Sequence, residues 1–429
     1  MTGMTRTCAA PEQSHTYAEA RQALMDEIMG EIDFSREVPD TEVLDLIDEG
    51  ITGDMSARMR NLTVGEKMQL RQELFHTIRR LDVLQDLLED PAVTEIMVNG
   101  PDHIFVERAG ELSPCPRTFS CAGKLEDVIQ QIVGACNRVV NTSSPIVDCR
   151  LMNGDRVNVV LPPVAINGPI LTIRRFPAKP IRMEDLLAWG SIGEEPAAFL
   201  TDCVRAGFNI FVSGGTGSGK TTFLNVLSDC IPASERVITI EDNAELQIRH
   251  VPNLVRLEAR NANVEGCTPI SIRDLIKTSL RMRPDRIIVG EVRGPEAIDM
   301  IQSMNTGHDG SMSTGHANSA RDMLSRLETM ILMGMDLPLS AVRGQLASGI
   351  DLIVHLSRFR DRSRKLSEIS EVRGMEDGQI VLVPIFRFME KGEKDGRIFG
   401  EWVRCDELHH TFKLEAAGIP VRPRGAVSS

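Results

Sequence analysis

One short run constrains this chain more than anything else in it: Gly214-Gly215-Thr216-Gly217-Ser218-Gly219-Lys220-Thr221. It fits G-x-x-x-x-G-K-[ST] without a mismatch. The glycines remove Cβ atoms, so consecutive backbone N–H groups can converge on phosphate oxygens. Asn209-Ile210-Phe211-Val212-Ser213 leads straight into the run as a strand, and a helix is expected to begin near Lys220. The positive end of that helix would point at the same phosphates. In this pattern Lys220 reaches the β- and γ-phosphates and the Thr221 hydroxyl ligates Mg²⁺, while Thr222 follows as a further binding residue.

Two more apolar runs end in acids. Val237-Ile238-Thr239-Ile240 stops at Glu241 and Asp242, and Arg286-Ile287-Ile288-Val289 stops, after Gly290, at Glu291. Continuous apolar strands belong in a parallel sheet covered on both faces, and such sheets bind ligand at the carboxyl ends of their strands. The glycine run and both acidic groups fall at such ends. Breaking a terminal phosphate needs one carboxylate to organise Mg²⁺ and another to orient water. An acid after a strand is also a common helix-start or solvent group. Next comes Gly307-His308-Asp309-Gly310-Ser311-Met312-Ser313-Thr314-Gly315-His316-Ala317-Asn318. Its histidines are either ordinary structural residues or contacts that report a γ-phosphate.

At 429 residues the chain has room for two or three domains, at about 150 residues each. A polar tail over 1–18 is expected to be disordered, followed by a helical bundle over 19–88 with Leu24, Ile28 and Ile32 on one stripe and Leu70, Leu74, Ile78, Leu81 and Leu84 on another. Residues 89–177 read as an α+β domain: strands at Thr94–Gly100, His103–Arg108, Arg156–Leu161 and Ile170–Ile173, with a helix near Leu125–Val140. A Pro-rich linker over 178–190 precedes an α/β domain over 191–429. The net charge of −13 and 4% aromatic content argue against nucleic acid as a partner, because phosphate backbones select basic surfaces and single strands select aromatic platforms. No signal peptide and no membrane-spanning apolar stretch are read. The nine cysteines form no Cys-x-x-Cys pair, which fits reduced thiols in a cytosolic protein. Cys405, His409 and His410 lack a second ligand pair and read as surface residues at a helix end. The basic stretch Arg358, Arg360, Arg362, Arg364 and Lys365 reads as a solvated hairpin, the alternative being a dock for an acidic loop or lipid headgroups.

The phosphate loop, Ile240-Glu241-Asp242, Arg283 through Arg293, and Thr306-Gly307-His308 through Asn318 occur in the order of one family. The chain resembles the ATPases of the secretion superfamily that drive type II and type IV secretion and pilus assembly. Val93 through Gly100, Leu171 through Phe176 and Ser325 through Met330 resemble its CpaF/TadA branch, which powers Flp-type (Tad) pili. The resemblance covers about residues 85–390. It implies a RecA-like P-loop ATPase domain preceded by an α+β (PAS-like) domain. It also implies ATP and Mg²⁺ as cofactors, and a homohexameric ring at the cytoplasmic face of the inner membrane, coupled to membrane platform proteins. By that resemblance Glu291 acts on Mg²⁺ and the catalytic water, Glu241 is a candidate base, and His308 and His316 sense phosphate. Arg156 and Arg174 are phosphate contacts from the preceding domain, or else plain surface arginines. A four-cysteine zinc insertion common in type II relatives is missing, and Gly315 replaces a bulky apolar residue ahead of His316. The resemblance is therefore weaker at His316 than at His308. Within the superfamily the alternative is a conjugation or effector-secretion ATPase; outside it, a nucleic-acid translocase.

Overall fold

Apolar residues four apart give three amphipathic helices near the N-terminus, which bury one face each against the others. The computed structural model describes residues 15–32, 38–52, 62–108, 110–176, 180–260 and 268–422. Within them, α1 (His15–Glu31), α2 (Asp40–Thr52) and α3 (Val64–Arg79) close a small core around Leu24, Ile28, Val43, Ile47, Leu70 and Leu74. The tail expected over 1–18 lies outside the described residues as far as residue 14, and α1 takes up the chain at 15. A capping box starts α3: Thr63 Oγ1 accepts from Glu66 N at 3.2 Å while Glu66 accepts from Thr63 N at 2.7 Å, which satisfies two otherwise orphaned donors.

The second apolar stripe divides between two helices. Asp82 takes φ 52°, and α4 (Val83–Glu89) starts in a new direction. Its Leu84 and Leu87 pack into the core of the following sheet, away from the bundle. That sheet runs β3-β2-β1-β6-β5-β4, antiparallel throughout, from β1 (Val93–Asn99), β2 (Ile104–Arg108), β3 (Glu111–Pro114), β4 (Ile146–Arg150), β5 (Arg156–Val160) and β6 (Ile170–Arg174). Alternation in β2, β4, β5 and β6 gives it one buried face, which α5 (Ala122–Ala135) covers with Leu125, Val128, Ile129, Ile132 and Val133.

The chain divides into two units at Pro177/Ala178. In the second, the stretch expected as linker carries α6 (Met183–Ala188), followed by α7 (Glu194–Arg205). Then come β7 (Ile210–Gly214), α8 (Lys220–Ser228), β8 (Val237–Glu241), β9 (Leu254–Glu258), α9 (Ile272–Ser279), β10 (Arg286–Val289), α10 (Ala297–Met304) and β11 (Met312–His316). After α11 (Ala320–Gly334) and α12 (Leu339–Gly349) the chain turns to long strands: β12 (Leu352–Arg358), β13 (Arg364–Glu376), β14 (Gln379–Lys394) and β15 (Arg397–Arg404), closed by α13 (Phe412–Ala416).

All nine strands form one sheet, ordered β15-β14-β13-β12-β7-β11-β10-β8-β9. From β12 to β9 the pairing is parallel; β13, β14 and β15 extend it antiparallel. Each central strand feeds two cores. Ile210, Val212, Val237, Ile288, Leu352 and Val354 pack with α7 and α8 on one face. Phe211, Ile238, Ile240, Ile287, Val289 and Ile353 pack with α9 through α12 on the other. Two-sided burial explains why these strands are continuously apolar, and it aligns their carboxyl ends along one edge.

Ile288 is fully buried in the middle of β10. Ile288→Ala is expected to lower the stability of the second unit by about 2–5 kcal/mol, read as a lower denaturant midpoint by circular dichroism.

Candidate functional site

Every residue of β7 is buried up to Gly214. A Cβ on Gly214 would stand 2.5 Å from both Leu356 O and Ser218 Oγ, so the end of this strand has room only for glycine. Gly219, at φ 92°, turns the chain into α8 through a left-handed conformation that favours glycine. The curled loop brings Lys220, 8% exposed, back over itself, and its ammonium donates to Gly215 O at 3.0 Å. Ser218 Oγ is buried without a hydrogen-bond partner. Thr221 and Thr222 are half-buried in the first turn of α8. The loop thus presents one cation and one unspent hydroxyl.

β11 lies between the phosphate-loop strand and the acid-bearing strand, and its register sets His316 opposite Gly214. Lys220 Nζ lies 3.3 Å from His316 Nδ1, and His316 Nε2 lies 2.9 Å from Glu291 Oε1. Accepting from an ammonium requires a lone pair on Nδ1, so the ring proton sits on Nε2, facing Glu291. Burial, with Lys220 adding to it, lowers the His316 pKa and keeps the imidazole neutral. Burial also lowers the Lys220 pKa, and Glu291 opposes that shift. Glu291 Oε1 is buried and makes no well-aligned hydrogen bond. A buried carboxylate oxygen left this way suits a cation or a bound water, so the residues present fit Mg²⁺, with Glu291 and Thr221 as its holders.

Glu241 closes β8, one strand beyond β10. It is 3% exposed. Its Oε1 accepts from the backbone N–H groups of Glu245 at 2.8 Å and Leu246 at 2.9 Å, and Oε2 is buried without a partner. Burial raises its pKa to about 7, against the pull of those two N–H groups. Gly290 lets it in: a Cβ there would stand 2.9 Å from Glu241 Cγ. Glu241 therefore both pins the turn after β8 and presents an oxygen able to take a proton near neutrality. Its neighbour Asp242 is instead tied to Arg293.

The structure brings Lys220, His316, Glu291 and Glu241 to one edge of the sheet, and it places His308 elsewhere. His308 precedes β11, and the start of that strand is fixed to the start of β7 by Ser311 N donating to Asn209 Oδ1 at 3.1 Å. The length of β11 separates it from the loop, roughly 13 Å or more at about 3.3 Å per residue. His308 Nδ1 instead donates to Ser303 O at 3.2 Å. His308 thus lies away from this loop, and His316 is the histidine beside it. Arg156 and Arg174 face each other across β5 and β6, and Arg174 also lies opposite Glu95 on β1. His409 and His410 donate their backbone N–H groups to Glu371. They and Cys405 form no metal-binding group among the described residues.

Sequence reasoning missed His355. It sits in β12 beside β7, buried, with Nδ1 2.8 Å from Ser213 Oγ and a bond to the backbone of Asn318. Its only signal was a lone histidine inside the apolar run Leu352-Ile353-Val354-His355-Leu356.

A parallel sheet in which the phosphate-loop strand and the acid strand flank a third is the core of a RecA-like P-loop ATPase domain. The family model for the Type II/IV secretion system protein matches residues 79–413, and the chain belongs to that family. A Mycobacterium tuberculosis protein named for conjugal transfer is 36% identical over 319 residues, 73% of this chain and 90% of its own. The conjugal transfer protein TrbB of Rhizobium radiobacter is 33% identical over 297 residues, 68% of this chain and 88% of its own. The type IV secretion system protein PtlH of Bordetella pertussis is 32% identical over 302 residues, 65% and 89%. The solved VirB11 ATPase of the Brucella suis type IV secretion system aligns at 30% identity and a TM-score of 0.38, over 67% of this chain and 94% of that one. No helix among the described residues is long and apolar enough to cross a membrane.

The raised pKa of Glu241 has a sign that can be measured. Folding raises it from 4.5 to about 7, so the folded state holds an extra proton in that window and stability falls as pH rises through it. Glu241→Gln keeps an oxygen for the two N–H groups. It is expected to flatten the pH dependence of melting temperature between about 4.5 and 7 relative to the parent.

Proposed function

We propose that this protein is an ATP-hydrolysing motor that energises assembly or transport across the cell envelope. The single observation that carries the reading is the convergence of the phosphate loop, Lys220, His316 and Glu291 on one sheet edge. In it, Lys220 and the loop amides hold the β- and γ-phosphates, and Glu291 and Thr221 hold Mg²⁺ when it is bound, supplying charge neutralisation at the phosphate that leaves. Glu291 or Glu241 orients the attacking water. The free oxygen and near-neutral pKa of Glu241 favour it as the proton acceptor. The working form is a homohexamer at the cytoplasmic face of the inner membrane, acting on membrane platform proteins and without a nucleic-acid partner.

Likeness to the CpaF/TadA branch at Val93–Gly100, Leu171–Phe176 and Ser325–Met330 supports assembly of Flp-type pili as the task. A second reading has an observation of its own: the relatives TrbB and PtlH bear names from conjugal transfer and type IV secretion. Neighbouring genes for a prepilin and two platform membrane proteins favour the first; genes for a conjugation or effector channel favour the second.

Purified protein with Mg²⁺ is expected to hydrolyse ATP, and Lys220→Ala to lose at least about 100-fold in turnover with an unchanged circular dichroism spectrum. Near-normal turnover in that variant would contradict the site. Glu291→Gln should retain ATP binding with little hydrolysis, measured by equilibrium binding beside phosphate release. Parent-level hydrolysis there moves the duty to Glu241.

A further inference from the structure

The basic hairpin between β12 and β13 divides its cations into two groups. Arg360 reaches Glu390 at 2.6 Å and Glu393 at 3.2 Å, both on β14. Lys365 donates to Gly190 O at 2.8 Å and lies over the Phe388 ring. Asp361 fixes the turn itself, accepting from Ser363 N at 3.0 Å and from Ile398 N of β15 at 2.7 Å. These contacts hold the hairpin rigidly to the sheet.

Arg358 and Arg364 are different. They are exposed and, among the described residues, make no hydrogen bond or ion pair. Register places them directly opposite each other, an arrangement of like charges that destabilises a sheet when nothing neutralises it. Parallel pairing sets Leu356 beside Gly214, so Arg358, two residues on and on the same face, projects past the strand end toward the phosphate loop. Its guanidinium lies 3.8 Å from where a Cβ on Gly217 would be, and Arg364 Cδ lies 3.6 Å from the same position on Gly219.

Resting on the reading of this loop as a nucleotide site, we infer that Arg358 and Arg364 are a same-chain clamp on the phosphate chain of the bound nucleotide. A polyphosphate carries the several negative charges that two unpaired, facing guanidinium groups lack, and guanidinium geometry suits its oxygens. The hairpin brings its charge beside Gly217 and Gly219 of the loop.

The test uses the full chain carrying Arg358→Gln, Arg364→Gln or both, with Arg362→Asn as a charge-removal control in the same turn. ATP and inorganic tripolyphosphate affinities are measured by equilibrium binding. Each single substitution is expected to weaken both ligands about tenfold, with the control unchanged. Nucleotide-free melting temperatures should not fall, since no partner is lost. Unchanged affinity in a parent that does bind overturns the clamp alone. Loss of ATP affinity with tripolyphosphate unaffected also overturns it, by assigning the arginines to the nucleoside. A fall in melting temperature makes them structural instead. If the parent binds neither ligand, the nucleotide reading fails and takes the clamp with it.

Discussion

The Lys220 ammonium sits almost buried between a loop carbonyl and a neutral imidazole, with the Glu291 carboxylate on the far side of that ring. Desolvation disfavours its charge, and only an anion close by restores the balance. The rest of the domain follows from placing that charge. A lysine in the first turn of a helix needs a strand to aim the helix. The strand needs neighbours on both sides to be buried, and parallel neighbours need crossover helices on both faces. The result is a sheet edge along which a cation, an imidazole and two carboxylates stand at or just beyond the ends of four adjacent strands.

That order also makes β11 more than a spacer. By standing between β7 and β10 it keeps Lys220 and Glu291 from neutralising each other directly, and His316 at its end bridges them instead. A direct Lys–Glu pair would satisfy both charges and leave neither for a ligand. The bridge leaves the ammonium with one spare donor, and Glu291 Oε1 beside the imidazole without an aligned hydrogen bond.

β7, α8, β8 and β10 were legible in the sequence because two-sided burial writes itself as unbroken apolar runs. β11 was not, although it is equally buried. Ser313-Thr314-Gly315-His316 is small and polar, and Thr314 Oγ1 donates to Gly290 O at 2.8 Å. That strand separates the two histidines by its own length, a spacing the sequence alone does not show. Gly315, read as a departure at His316, also makes room for Met323: a Cβ there would stand 2.7 Å from Met323 Cε. The break after α3 was hidden for a related reason, because Asp82 takes a left-handed conformation that a non-glycine residue seldom signals. The two acids after β8 look alike in sequence. Only the fold separates them, giving Asp242 an arginine and Glu241 a turn to hold.

The long antiparallel strands at the C-terminus carry charged, exposed positions and so give little hydrophobic pattern, yet they decide what stands over the phosphate loop. His355 is the joint. Buried between Ser213 at the end of β7 and the backbone of Asn318 beyond β11, it ties β12 to both strands that shape the site. Burial lowers its pKa, so it holds these bonds as a neutral ring over the range where His316 is neutral too. Leu356 and Arg358 continue from that fixed point, the first closing over Gly214 with its carbonyl and the second carrying positive charge past the strand end. The hairpin is therefore part of the site's frame, positioned through one buried imidazole that the loop strand itself anchors.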